Sequence, residues 1–168
     1  NNITVEEVKS INPDVIVISP GPGSPENSND IGSCVDIIRE FGEEIPVLGI
    51  CLGNQSINKA FGGTTSHTEG GPVHGKGHRI QHDDSPIFEG ISNPMTAGRY
   101  HSLGIETLSP ELEIIATTQN GLIMGVKHKK YPVYGLQFHP ESVLTPDGLK
   151  LIGNFLKIAQ IFRNNCKH

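Results

Sequence analysis

Two short apolar runs, each leading into a segment with helical spacing, set the tightest limit on what this chain can fold into. "DVIVIS" (14–19) is rich in β-branched residues and ends in the turn-forming stretch "PGPGSP". After it, Ile31, Val35, Ile38 and Phe41 recur at three- and four-residue spacing, which predicts an amphipathic helix over 29–42 with Gly42 as its stop. "IPVLGI" (45–50) is uniformly apolar, as expected of a strand covered on both faces, and "LGNQSINKAFGG" (52–63) again reads as a helix closed by paired glycines. Strand, helix, strand, helix implies parallel pairing through right-handed crossovers. The fold class expected is therefore α/β, a doubly wound, mostly parallel, flavodoxin-like sheet.

After residue 63 the texture changes. "HRIQH" (78–82), "EIIATT" (113–118), "LIMGVKH" (122–128) and "VYGLQF" (133–138) are short strands between turns, expected as a small antiparallel or mixed extension. At the end of the chain Thr145, Pro146 and Asp147 are expected to start a helix with Leu149, Ile152, Leu156 and Ile161 as its apolar stripe. No repeat or linker interrupts the chain, so residues 1–168 read as one domain.

Bulk properties exclude several function classes. A formal charge of −5 with no Lys/Arg stripe argues against nucleic acid as the main ligand. No apolar run reaches membrane-spanning length, and "NNITVEEVKS" (1–10) is unlike a signal peptide. Cys34, Cys51 and Cys166 are odd in number and widely spaced, so they form no disulfide framework and point to a reducing, cytoplasmic setting.

Cys51 falls at the second strand-to-helix junction, between Gly49 and Gly53. That spelling suits a nucleophile elbow, whose glycines permit the sharp turn and whose helix N-terminus would lower the thiol pKa. A buried cysteine acting as a small hydrophobe fits the same spelling. "GLQFHPES" (135–142) then supplies what a thiol nucleophile needs, a base in His139 and an acceptor to orient it in Glu141, two residues on in an extended segment. "SPGPGSP" (19–25), at the carboxyl end of the first strand, offers backbone amides to an oxyanion.

In this order and at these separations, "SPGPGSP", "GICLGNQ" and "QFHPES" resemble the triad-type (class I) glutamine amidotransferases over essentially the whole chain. "AGRYHSLGIE" (97–106) and "GPVHGK" (71–76) resemble the glutaminase subunit of anthranilate synthase and of its sister, aminodeoxychorismate synthase. The resemblance implies hydrolysis of L-glutamine to glutamate and ammonia, with Cys51 as nucleophile, His139 as proton shuttle and Glu141 orienting it. It assigns the oxyanion to the amides of Gly21 and Leu52. The glutamine-binding positions it implies are Gly21, Pro22, Gly23, Gln55, Ser102 and Leu103. The ammonia would pass to a separate chorismate-binding synthase subunit. No metal ligand set and no cofactor site is implied, and the chain itself offers no site for chorismate or Mg²⁺.

Three departures from the family pattern stand out. Asn54 replaces the usual His after "CLG", which bears on hydrogen bonding behind the elbow. "HGKGH" (74–78) stands where "HGKTS" is usual, which bears on the partner contact. The family's first strand, helix and second strand would precede "NNITVEEV", so the sequence is expected to be part of a longer chain. Loss of the first strand is expected to leave both its neighbours with open edges. Other signals are weak: "GGPVHGKG" (70–77) lacks the hydroxyl of a phosphate-binding loop, and His74, His78 and His82 lie in a segment that alternates like a strand. The sequon "NQS" (54–56) sits inside the proposed site. Two rival readings remain, a non-catalytic subunit of the same synthase and a cysteine hydrolase of the same fold.

Overall fold

The computed structural model describes residues 3–68 and 71–166. Thr4 opens helix α1 (Val5–Ile11) through a capping box with Glu7, and Asn12 closes it in the left-handed region. The T-x-x-E spelling is the local signal for this helix, which the apolar runs do not reveal. Strand β1 (Ile16–Ile18) follows, then helices α2 (Ser28–Ile31) and α3 (Cys34–Phe41). The single helix expected over 29–42 is thus two. Gly32, at φ 53°, caps α2 and breaks the run, while Ile31, Val35, Ile38 and Phe41 are all buried as their spacing requires.

Strand β2 (Val47–Ile50) leads through Cys51 into α4 (Leu52–Ala60). Then come β3 (Thr64–His67), β4 (Lys76–His82), β5 (Met95–Arg99), β6 (Leu103–Thr107), β7 (Leu112–Thr118), β8 (Ile123–His128), β9 (Val133–Leu136) and α5 (Gly148–Cys166). The main sheet has seven strands in the order β1-β2-β9-β8-β7-β4-β5, and β3 pairs with β6 in a second sheet. β1, β2 and β9 run parallel, while the four remaining pairings of the main sheet are antiparallel. The doubly wound α/β core is present, and the antiparallel part is larger than the small extension expected.

β9 makes the extension mixed at its junction with the parallel strands. The "VYGLQF" run joins the two parts of the sheet, parallel to β2 with Ile50 opposite Leu136 and antiparallel to β8 with Val126 opposite Gly135. Its order in sequence hid this, because the connection from β2 to β9 spans about half of the chain. The parallel strands also adjoin without a gap, so among the described residues only β1 has an unpaired long edge on that side, not two neighbours.

β2 is buried at every position because it feeds two cores. Val47 packs with Ile18, Val35, Ile38 and Ile57 on the α3/α4 side, while Leu48 and Ile50 pack with Leu136, Phe138, Leu151 and Phe155 on the α5 side. α5 meets that second core through Leu151 and Phe155, whereas Leu149, Leu156 and Ile161 are exposed. Of the expected stripe only Ile152 packs against this core, since several apolar residues on α5 lie outside its core face. Its start is also later than expected. Thr145 does not cap it; its hydroxyl accepts from Gly98 N at 2.9 Å and donates to the His139 carbonyl at 2.7 Å.

Candidate active site

The carboxyl ends of β1, β2 and β9 converge, and each is followed by one of the three motifs that stood out in the sequence. This is the edge at which parallel α/β sheets form ligand crevices. Cys51 sits at φ 54°, ψ −103°, a conformation side chains rarely take and one that costs on the order of 1–3 kcal/mol. Two close approaches hold it there. A Cβ on Gly49 would stand 2.4 Å from the Gly53 carbonyl, and one on Gly53 would stand 2.3 Å from the Ile18 oxygen of β1. Cys51 N donates to the Leu136 carbonyl at 2.8 Å, tying the elbow to β9.

His139 lies just beyond β9, its N–H bonded to the Gly98 carbonyl. Its Nδ1 is 2.6 Å from Glu141 Oε1, and its Nε2 is buried without a hydrogen-bond partner. The segment is a turn, closed by Ser142 N on the His139 carbonyl, and not the extended stretch expected. Pro140 at the turn's second position brings Glu141 back onto the ring. The Tyr100 ring packs edge-on against His139 at 5.0 Å, and its hydroxyl meets Ser142 Oγ at 2.9 Å.

The charge state of the sulfur departs from expectation. Burial pushes the Cys51 thiol up to about 11; a hydrogen bond from the Leu52 N–H opposes this, the Glu141 carboxylate adds to it, and a hydrogen bond from Gln137 also opposes it. Desolvation of the thiolate outweighs the helix N-terminus because the residue is only 8% exposed. Glu141 is thus near enough to Cys51 for its charge to act on the sulfur.

Of the other expected residues, Gly21 meets Leu52 of α4, and Gln55 on α4 meets Leu103. Gly21 lies against Leu52, where a Cβ would be a tight 3.1 Å from Leu52 Cδ2. Gly21, Pro22 and Gly23 form an exposed loop, and Gly23 at φ 94° abuts Asp30, whose carboxylate accepts from Ser24 N. Gln55 is buried and its Nε2 donates to the Leu103 carbonyl at 3.0 Å. Ser102 is exposed, its carbonyl accepting from Thr68 N. The "AGRYHSLGIE" run contributes a second cluster. Buried Arg99 donates to His101 Nε2, and His101 Nδ1 meets the Leu103 carbonyl. His78 joins that cluster and His82 caps Ser92 from β4, while His74 is exposed.

Burial pulls the His101 imidazole down to about 4, and the Arg99 guanidinium pushes the same way. A histidine held neutral in the fold stabilises it fully above the unfolded pKa near 6.5, and that stability is lost as pH falls toward 4. Between pH 6.5 and 5 the midpoint of thermal unfolding is expected to drop by roughly 3 °C, and His101→Asn to flatten the drop. Equal slopes in both proteins would refute the assignment.

The family model of class-I glutamine amidotransferases matches residues 1–159. The chain belongs to the class-I glutamine amidotransferase family. It is 47% identical over 156 residues to anthranilate synthase component 2 of Methanothermobacter thermautotrophicus, covering 92% of this chain and 78% of that one. The component 2 protein of Methanocaldococcus jannaschii is 49% identical over 166 residues, with 94% and 81% covered. Against the bifunctional protein TrpGD of Thermotoga maritima identity is 50% over 163 residues, but that match spans 27% of the larger protein. This amidotransferase is thus of the anthranilate synthase component 2 type. Among solved structures, a candidate GMP synthase protein from Thermoplasma acidophilum superposes with a TM-score of 0.86 at 28% identity, covering 99% of this chain and 82% of that one. A glutamine amidotransferase from Thermotoga maritima shares the fold at a TM-score of 0.71 and 20% identity, covering 99% and 69%. None of the helices among the described residues is long and apolar enough to cross a membrane.

Proposed function

We propose that this chain hydrolyses L-glutamine through a Cys51 thioester and supplies the ammonia to a chorismate-binding synthase subunit, for synthesis of anthranilate or 4-amino-4-deoxychorismate. The observation that supports it most is the partnerless, buried Nε2 of His139, held by Glu141 at 2.6 Å beside the Cys51 elbow. With Glu141 accepting from Nδ1–H, Nε2 carries the lone pair of a base.

At neutral pH the buried thiol holds its proton. Attack therefore couples S–H deprotonation by His139 Nε2 to bond formation between Sγ and the amide carbon. Collapse of the tetrahedral intermediate breaks the C–N bond, and the imidazolium returns the proton to the departing nitrogen as ammonia. Water, deprotonated by the same imidazole, cleaves the thioester to glutamate and restores the thiol. The backbone amides of Gly21 and Leu52 take the oxyanion, an assignment supported by the closeness of Gly21 to Leu52 and by the position of Leu52 at the N-terminus of α4. Gly21, Pro22, Gly23, Gln55, Ser102 and Leu103 hold the substrate; both N–H groups of Gln55 are committed within the protein, so its carbonyl oxygen is what a ligand meets.

A glutamine-analogue electrophile is expected to label Cys51 in mass-mapped peptides, and glutamine is expected to protect it. Ammonia release is expected to vanish in Cys51→Ser. Labelling and ammonia release that are both absent, with the partner synthase bound, would leave a non-catalytic role; peptide cleavage in place of ammonia release would indicate a hydrolase of another class.

A further inference from the structure

Gln137 is fully buried at the carboxyl end of β9, and the nucleophile reading gives it no task. Its side chain stands at the junction of three others. Oε1 accepts from Asn54 Nδ2 at 3.2 Å and from Gln55 Nε2 at 3.2 Å, while Nε2 donates to Cys51 Sγ at 3.7 Å. We infer that Gln137 is a positioning residue for the Cys51 sulfur, its amide locked with the N–H side toward Sγ by Asn54 and Gln55. This rests on the reading of Cys51 as nucleophile and adds to it the group that orients the sulfur from behind.

The lock follows from donor and acceptor chemistry. The Leu103 carbonyl can only accept, so the Gln55 group pointing at it must be the NH₂. That same NH₂ has its second hydrogen on Gln137, whose facing atom must then be oxygen. A reversed Gln137 amide would set N–H against two donors and turn a carbonyl toward the sulfur. In the observed orientation an N–H dipole faces the position where negative charge develops as the thiol is deprotonated. Gly135 makes the arrangement possible, because a Cβ there would stand 2.3 Å from Asn54 Oδ1. Asn54 therefore has a role of its own in this chain, as one of the two donors that hold Gln137.

Titratable groups around the sulfur come from elsewhere. Glu141 and His139 follow β9, His101 and Arg99 lie at the end of β5, and α4 carries no charged residue before Lys59. None of them changes in a Gln137 variant, so the amide can be tested by itself.

The test compares the chain with Gln137→Leu and Gln137→Glu. Iodoacetamide alkylation of Cys51 is followed by peptide mapping between pH 7 and 9, with Cys34 on α3 as the internal reference, beside steady-state ammonia release from glutamine. In Gln137→Leu the Cys51-to-Cys34 rate ratio at pH 8 is expected to fall roughly tenfold, and kcat to fall similarly at unchanged KM. Gln137→Glu, of the same shape, is expected to lower the ratio further by placing a carboxylate on the sulfur. A ratio equal to that of the parent chain overturns the inference. Where circular dichroism shows Gln137→Leu unfolded, the Gln137→Glu ratio decides in the same way. Ammonia release that survives Cys51→Ser would defeat the nucleophile reading itself, whereas an unchanged ratio in a chain that needs Cys51 defeats only the role of Gln137.

Discussion

Replacing His139 with asparagine is expected to lower kcat for glutamine hydrolysis by about a thousandfold or more, the loss seen when a nucleophile's base is removed. The thiol in this site is not stored as an anion, since burial holds it up to about 11. Without an imidazole to take the proton, only a minute fraction of Cys51 is ionised near pH 7. Asparagine keeps a polar group near Glu141 but offers no base. Glu141→Gln is the sharper companion. Its amide can turn an N–H toward Nδ1, which places the imidazole proton on Nε2 and leaves that nitrogen unable to accept. The two carry the expected result if kcat collapses while glutamine still protects Cys51 from alkylation. Turnover within tenfold of the parent in His139→Asn would remove His139 from the mechanism.

The second large effect concerns the backbone and needs no assumption about chemistry. Gly53→Ala is expected to destabilise the fold by about 3 kcal/mol or more, at the upper end for overpacking, because the added carbon meets main chain and not a side chain that can swing away. The Ile18 oxygen would be 2.3 Å from it, and β1 is held from its other side by β2. Relief requires moving α4, which carries Cys51 out of its left-handed elbow. Thermal unfolding should show a fall of roughly 6–12 °C, with glutamine hydrolysis reduced in the folded fraction. By comparison a Cβ on Gly62 or Gly121 meets no atom within 4 Å; both lie at positive φ, so alanine there strains the backbone without a clash. An unchanged melting temperature in Gly53→Ala would contradict the close packing of α4 on β1.

What could be read from the chain and what could not divides along a physical line. The elbow was legible because its requirements are local: a thiol between a buried strand and a helix, and glycines two residues to either side. His139 and Glu141 were legible for the same reason, although a turn and not an extended segment brings them together. The helix register of α5 was not, because Leu149, Leu156 and Ile161 are as apolar as the residues that face the core. Spacing alone cannot choose between two apolar faces. Nor was the place of β9, since a parallel partner far along the chain leaves no mark in either strand's composition.

Residue type and spacing by themselves settled the α/β class and the strand-turn-helix setting of Cys51, since each depends on interactions within a few residues, and they pointed to His139 and Glu141 as its expected partners. Only tertiary structure decided that burial keeps the sulfur protonated. It also decided that Thr145 ties the His139 turn to β5, and that Asn54, Gln55 and Gln137 form one amide lattice behind the nucleophile. Those outcomes depend on how much water the packed elements exclude and on which donor meets which acceptor across segments more than 80 residues apart.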